Sequence, residues 1–179
     1  MRGFILWFTG LSGTGKSTLA SALATRLAGT RAIEVLDGDE IRTGLSADLG
    51  FSRQDRDTNI RRIGYVARLL AKHRVGVVTA TISPYAEARG EMRALAEARA
   101  VPFLEVFATA RLESLVARDT KGLYKRALAG EIERFTGVSD PYEPPTAPDA
   151  TVETDRETVD ESLAKIIAAL QARDLIGAA

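Results

Sequence analysis

Residues 10 to 17 read GLSGTGKS and satisfy G-x-x-x-x-G-K-[ST] at every fixed position. Glycines at this spacing let successive backbone N–H groups turn inward around anionic oxygens without Cβ clashes. A helix starting near Lys16 would add the partial positive charge of its N-terminus. In this chemistry Lys16 reaches the β- and γ-phosphates of a nucleoside triphosphate, and the Ser17 hydroxyl ligates Mg²⁺. Gly10, Leu11, Ser12, Gly13, Thr14, Gly15, Lys16, Ser17 and Thr18 are therefore the candidate triphosphate site. A plain glycine-rich turn is the competing reading. The apolar run FILWF before the motif and the helix-forming residues after it speak against that.

A second group is EVLDGDEIR, residues 34 to 42, in which an apolar run ends directly in an acid. Asp37 is thus expected at the carboxyl edge of a sheet, where open α/β folds bind ligands. There it could hold Mg²⁺ or take a proton from an attacking hydroxyl. It could instead form an Asx-turn into Gly38, and Asp39 could simply cap the next helix. A third group, RDTKGLYKR at 118 to 126, places four cations in nine residues. That composition suits a lid closing over phosphates, with an exposed basic helix end as the alternative. The single histidine, His73, falls near a helix C-terminus and reads as a solvated cap.

The elements that must position these groups follow from periodicity. Apolar runs at 4–8, 33–37, 75–82, 103–107 and 150–154 predict strands. Helical patterns fall at 16–28, 55–72, 85–99, 111–130 and 156–172. In the last, Val159, Leu163, Ile166, Ile167 and Leu170 share a face, and Thr154 with Glu157 has capping-box spacing. Strands alternating with helices predict an α/β fold, a mostly parallel five-stranded sheet with helices on both faces. Residues 136–149 hold four of the six prolines and predict a long surface loop within a single domain spanning 1–179.

Composition narrows the function. The 179 residues carry 24 basic and 24 acidic side chains, so no global field favours nucleic acid or an anionic membrane. No apolar run approaches the roughly 18 residues that span a bilayer. With no cysteine, thiolate metal sites and Cys nucleophiles are excluded, and a reducing cytoplasm is the expected compartment. No N-K-x-D guanine signature occurs, which lowers a GTPase reading.

Five stretches, LDGDEIRTGL, LGFSRQDRDTNIRRIGYVARLLA, ISPY, RDTKGLYKRALAGEI and FTGVSDPYEPP, together resemble the adenylylsulfate (APS) kinase family. The likeness is greatest to the kinase module of bacterial fusions with ATP sulfurylase, and runs from about residue 3 to 172. It implies a P-loop kinase fold, usually dimeric, that moves the γ-phosphate of MgATP to the 3′-hydroxyl of adenosine 5′-phosphosulfate. ATP sulfurylase is then the implied functional or fusion partner.

The same resemblance assigns the acceptor side. A phosphosulfate calls for fixed cations, and Arg42, Arg56 and Asn59 match the family pattern; an arginine fork suits it better than lysine. Arg56 and Asn59 are expected on one face of their helix, opposite much of the Ile60/Ile63/Ala67/Leu70 stripe. Phe51 and Phe135 would flank the adenine, with Asp37, Asp39 and Ile82 also facing the acceptor. Lys121 approaches phosphate and acceptor, Arg118 contacts ATP, and residues 118–135 form the lid. Ser83 is implied as an active-site residue, although a serine before proline at a strand-to-helix junction equally reads as an N-cap. Ala86 stands where many relatives have arginine, with Arg89 three residues on.

Three other readings remain open at this stage. One is a kinase of the same scaffold acting on another nucleotide or a small hydroxylated metabolite. A second is a regulatory nucleotide-binding module. The third, nucleic-acid binding, has only Arg53, Arg56, Arg61 and Arg62 behind it.

Overall fold

FILWF is apolar at every position because its strand is covered on both faces. In the computed structural model, which describes residues 2–119 and 121–177, β1 (Phe4–Thr9) is the central strand of five. The others are β2 (Ile33–Asp37), β3 (Gly76–Ala80), β4 (Phe103–Thr109) and β5 (Ala150–Glu153), and the order is β2-β3-β1-β4-β5. All four pairings are parallel, with Phe4 opposite Gly76 and Ile5 opposite Phe103. Phe4, Leu6 and Phe8 point into a core shared with Leu19 and Leu23 of α1 (Lys16–Leu27) and Ile166 and Leu170 of α7 (Val159–Gln171). Ile5 and Trp7 point the other way, toward Ile60 and Ile63 of α3 (Arg53–Lys72) and Met92 of α4 (Ala86–Glu97). The expected α/β sandwich is thus observed, and the strand order comes from the structure. No helix among the described residues is long and apolar enough to cross a membrane.

Four local expectations are corrected. The short helix after Asp37, α2 (Gly38–Thr43), is capped by Asp37, and Asp39 lies within it instead of capping it. The single helix expected at 111–130 is two, α5 (Leu112–Arg118) and α6 (Leu123–Leu128). Asp119 supplies the break: its carboxylate accepts from the amides of Tyr124 (3.0 Å) and Lys125 (2.9 Å), so it caps α6. The capping box of α7 is Thr158 with Glu161, four residues beyond the expected Thr154 and Glu157. Finally, α4 starts at Ala86 with Tyr85 at its N-cap and no side-chain cap, so Ser83 is not a capping residue.

Candidate active site

The carboxyl ends of β1, β2 and β3 open into a cleft of about 750 Å³. Its donor wall is the glycine loop. Gly10 has φ 148°, and a Cβ there would lie 2.0 Å from the Ala108 carbonyl oxygen, so only glycine fits. Gly15, at φ 75°, is the N-cap of α1, and no side chain caps that helix. The first amides of α1 are therefore left to a ligand, the arrangement that binds phosphate. Lys16 is buried, its Nζ donating to the carbonyls of Gly10 (2.8 Å) and Leu11 (2.7 Å) and to Thr14 Oγ1 (3.3 Å). Burial, reinforced by the charge of Lys121, pushes its pKa down to about 7, with Asp37 and Asp39 pulling the other way.

Ser17 Oγ donates to Asp37 Oδ2 at 2.5 Å, and Asp37 Oδ1 accepts from the Asp39 amide at 2.9 Å. One carboxylate thus serves both readings of Asp37, capping α2 while facing the phosphate loop. The Ser17–Asp37 pair is an all-oxygen donor set of the kind Mg²⁺ accepts. Among the described residues no cluster of three or more acids or histidines could form a dedicated cage. That fits a cation which takes its remaining ligands from phosphate oxygens and water.

The wall expected to take the acceptor is assembled from distant segments. The Arg42 guanidinium lies 4.5 Å from the Phe51 ring centroid and donates to the Gly50 carbonyl at 3.0 Å. Phe51 is 59% exposed, so its ring faces solvent and not the core. Arg56 and Asn59 are buried and lie on the same face as Ile60, Ile63 and Ala67, correcting the expectation that they stand opposite that stripe. The buried face of α3 passes from the core into the cleft wall. There Arg56 donates from Nε to the Phe51 carbonyl (3.0 Å), from Nη1 to Thr136 Oγ1 (2.9 Å) and from Nη2 to the Arg134 carbonyl (2.5 Å). A single guanidinium therefore ties the backbone beside Phe51 to the backbone beside Phe135. Asn59 Oδ1 is buried without a partner among the described residues, a polar atom in the cleft wall with a hydrogen bond to spare.

Two cations of the basic 118–126 segment, Arg118 and Lys121, also line the cleft. Lys121 pairs with Asp39 across it, and Arg118 Nη2 donates to the Thr154 carbonyl at 2.5 Å. Ile82 and Ser83 line the floor. Of the sequence-predicted residues, Ser12, Gly13, Gly15, Lys16, Ser17, Thr18, Asp37, Asp39, Arg42, Phe51, Arg56, Asn59, Ile82, Ser83, Arg118, Lys121 and Phe135 all line this one cleft. Gly10, Leu11 and Thr14 shape the loop from behind. His73 caps α3 and does not line the cleft, nor does Ala86, whose amide donates to Glu143 Oε2 at 2.7 Å.

Sequence reasoning missed Tyr124, whose hydroxyl donates to the Ser12 carbonyl at 2.8 Å while its ring meets Phe135 edge-on at 5.0 Å. An aromatic inside the basic run KGLYKR was the available signal. Burial, with Asp119 nearby, pushes that phenol up to about 12, so it stays a donor. The arginines behind a nucleic-acid reading are committed elsewhere. Arg53 pairs with Glu87, Arg61 with Glu91 and Arg62 with Asp48, and Arg56 is buried.

Comparison with known proteins gives the family. Residues 2–153 match the family model for adenylylsulphate kinase. An adenylyl-sulfate kinase of Myxococcus xanthus is 60% identical over 177 residues, covering 99% of this chain and 96% of that protein. A probable bifunctional SAT/APS kinase of Sorangium cellulosum is 57% identical over 96% of this chain, which spans 29% of that longer protein. Among solved structures, the Mycobacterium tuberculosis APS kinase in complex with AMPPNP and APS superposes with a TM-score of 0.90 at 44% identity, covering 95% of this chain and 98% of that one. On these matches the chain belongs to the adenylylsulphate kinase family.

Proposed function

We propose that this protein transfers the γ-phosphoryl group of ATP to the 3′-hydroxyl of adenosine 5′-phosphosulfate, giving 3′-phosphoadenosine 5′-phosphosulfate and ADP. The observation that carries the reading is the meeting of a phosphate loop and an arginine–phenylalanine wall in one cleft. The loop amides and Lys16 hold the β- and γ-phosphates. Ser17 and Asp37 are the residues that would hold Mg²⁺, which neutralises charge on the transferring group. Asp37 also takes the proton of the attacking 3′-hydroxyl. The bond from that oxygen to the γ-phosphorus forms as the bond to the ADP oxygen breaks.

On the other wall Arg42, Asn59 and the unused donors of Arg56 receive the phosphosulfate, and Phe51 and Phe135 flank the adenine. Lys121 and Arg118 bring the lid, residues 118–135, onto both ligands and exclude water. The proline-rich loop at 136–149 packs beside it within one kinase domain. Family resemblance supports a homodimer working in the cytoplasm. The fused Sorangium relative supports ATP sulfurylase as the partner enzyme that supplies APS.

The test is ADP release measured with MgATP and a panel of APS, AMP and adenosine. APS should be strongly preferred. Equal use of AMP would remove Arg42, Arg56 and Asn59 from the phosphosulfate site.

A further inference from the structure

Of the five described non-glycine residues with positive φ, only Ser83 (φ 46°) is buried. It also lines the cleft. Backbone held in a sparsely populated region inside a candidate active site needs neighbours that over-determine it. Here they come from β1 and α4. The Ser83 carbonyl accepts from Thr9 Oγ1 (3.2 Å) and Arg89 Nη1 (2.7 Å), and Ser83 Oγ accepts from Trp7 Nε1 (2.9 Å). Thr81 Oγ1 is the other partner of Ser83 Oγ.

An indole N–H can only donate, so the polarity of the Trp7 contact is fixed. Ser83 Oγ is the acceptor there, and with Thr81 Oγ1 as the donor of their shared bond the single Ser83 proton is left to point into the cleft. The ring cannot swing to release it. Trp7 is fully buried and stacked on Phe103, with centroids 5.8 Å apart and planes 22° apart. Any buried indole needs an acceptor, and a backbone carbonyl would satisfy that need. In this protein the acceptor is instead the hydroxyl of the strained residue in the cleft floor.

We propose that Trp7 is a positioning residue for phosphoryl transfer: its indole N–H sets the direction of the Ser83 hydroxyl, which then presents a hydrogen-bond donor to the acceptor nucleotide. The proposal rests on the assignment of this cleft wall to APS. It also gives Ser83 a non-covalent role. Among the described residues no carboxylate or imidazole hydrogen-bonds Ser83 Oγ, so nothing adjacent would take its proton during nucleophilic attack.

Trp7 is the sole tryptophan, so the protein has a single indole ¹⁵N–¹H resonance. Ser83→Gly deletes the hydroxyl while suiting the left-handed backbone. It should shift that resonance and speed its exchange with solvent, and APS should move the resonance in the wild type but not in Ser83→Gly. An indole signal unmoved by Ser83→Gly would overturn the proposal, and this arm needs no substitution of Trp7. In steady-state kinetics Trp7→Phe should lower kcat/KM for APS about tenfold, the worth of one oriented hydrogen bond, with KM for ATP unchanged. On the Ser83→Gly background the same change should cost less than about twofold. Equal losses in both backgrounds would show that Trp7 acts by packing alone and sink the idea. A wild type that ignores APS, with the indole coupling intact, would instead refute the acceptor assignment and leave the Trp7–Ser83 link standing.

Discussion

The donor wall of the cleft is eight consecutive residues running from the end of one strand into the first turn of one helix, whereas the acceptor wall draws on α2, α3, the turn after β3 and the segment around Phe135. The donor wall presents mainly backbone amides, shaped by Gly10 and Gly15 and by the uncapped start of α1. The acceptor wall presents side chains, and Arg56 ties it together by joining the Phe51 carbonyl to the Arg134 carbonyl and the Thr136 hydroxyl. Phosphate is the same in every nucleotide, so a rigid local device suffices for it. Recognition of one acceptor requires surfaces at set distances, and those must be brought from far apart in the chain.

The comparison breaks most visibly at Lys16. Lys16→Met should reduce turnover by about 10² to 10³, the cost of losing one charge-stabilising group, and raise KM for ATP. A comparable rise in KM for APS would mean that the two walls are not separate devices. Arg56→Lys tests the other side. It keeps the charge but cannot span Phe51, Arg134 and Thr136 with one planar fork. We expect KM for APS to rise by roughly ten- to a hundredfold, as when one partner of a buried charged network is lost, while KM for ATP stays within about twofold. Phe51→Ala removes an exposed ring whose stacking is worth about 1 to 3 kcal/mol. Its kcat/KM for APS should fall about tenfold with no change in Tm, because Phe51 contributes little to the core. A large drop in Tm would make Phe51 a structural residue after all.

The same contrast decides what the sequence made legible. The donor loop was readable because its chemistry lies in adjacent residues with fixed spacing. The sheet was readable because a central parallel strand must be apolar throughout, as FILWF is. Failures occurred where a distant partner outbid a local pattern. The stretch TDRETVDE offers two T-x-x-E boxes in succession. The first is consumed elsewhere: the Thr154 amide extends the sheet edge to the Thr109 carbonyl, and Glu157 is occupied by the Glu153 amide, Ser162 and Lys165. Ser83 before Pro84 has the local form of a cap, yet its oxygens are claimed by Trp7, Thr9 and Arg89. In the helical reading of α3, Arg56 is expected opposite much of the apolar stripe. It is buried because carbonyls and a hydroxyl from two loops meet its donors, and nothing in the spacing of α3 records those loops.

The gentlest probe of the donor wall is pH. Lys16 has an unfolded pKa near 10.5, pushed down to about 7 in the folded protein chiefly by burial. Between those values the unfolded chain binds more protons than the folded one, so stability should rise with pH. The penalty is full below about 7 and is relieved as pH climbs toward the unfolded value. One proton limits the slope to about 1.4 kcal/mol per pH unit. Denaturant melts of ligand-free wild type and Lys16→Met across pH 7 to 9 isolate the effect, since Met has no proton to lose and every other titrating group is common to both. The wild type should gain stability relative to the variant as pH rises. A flat difference would mean that the carbonyls of Gly10 and Leu11 hold Lys16 fully charged without any phosphate. The loop would then be preset for its ligand by its own backbone, and the contrast with the side-chain-built acceptor wall would be sharper still.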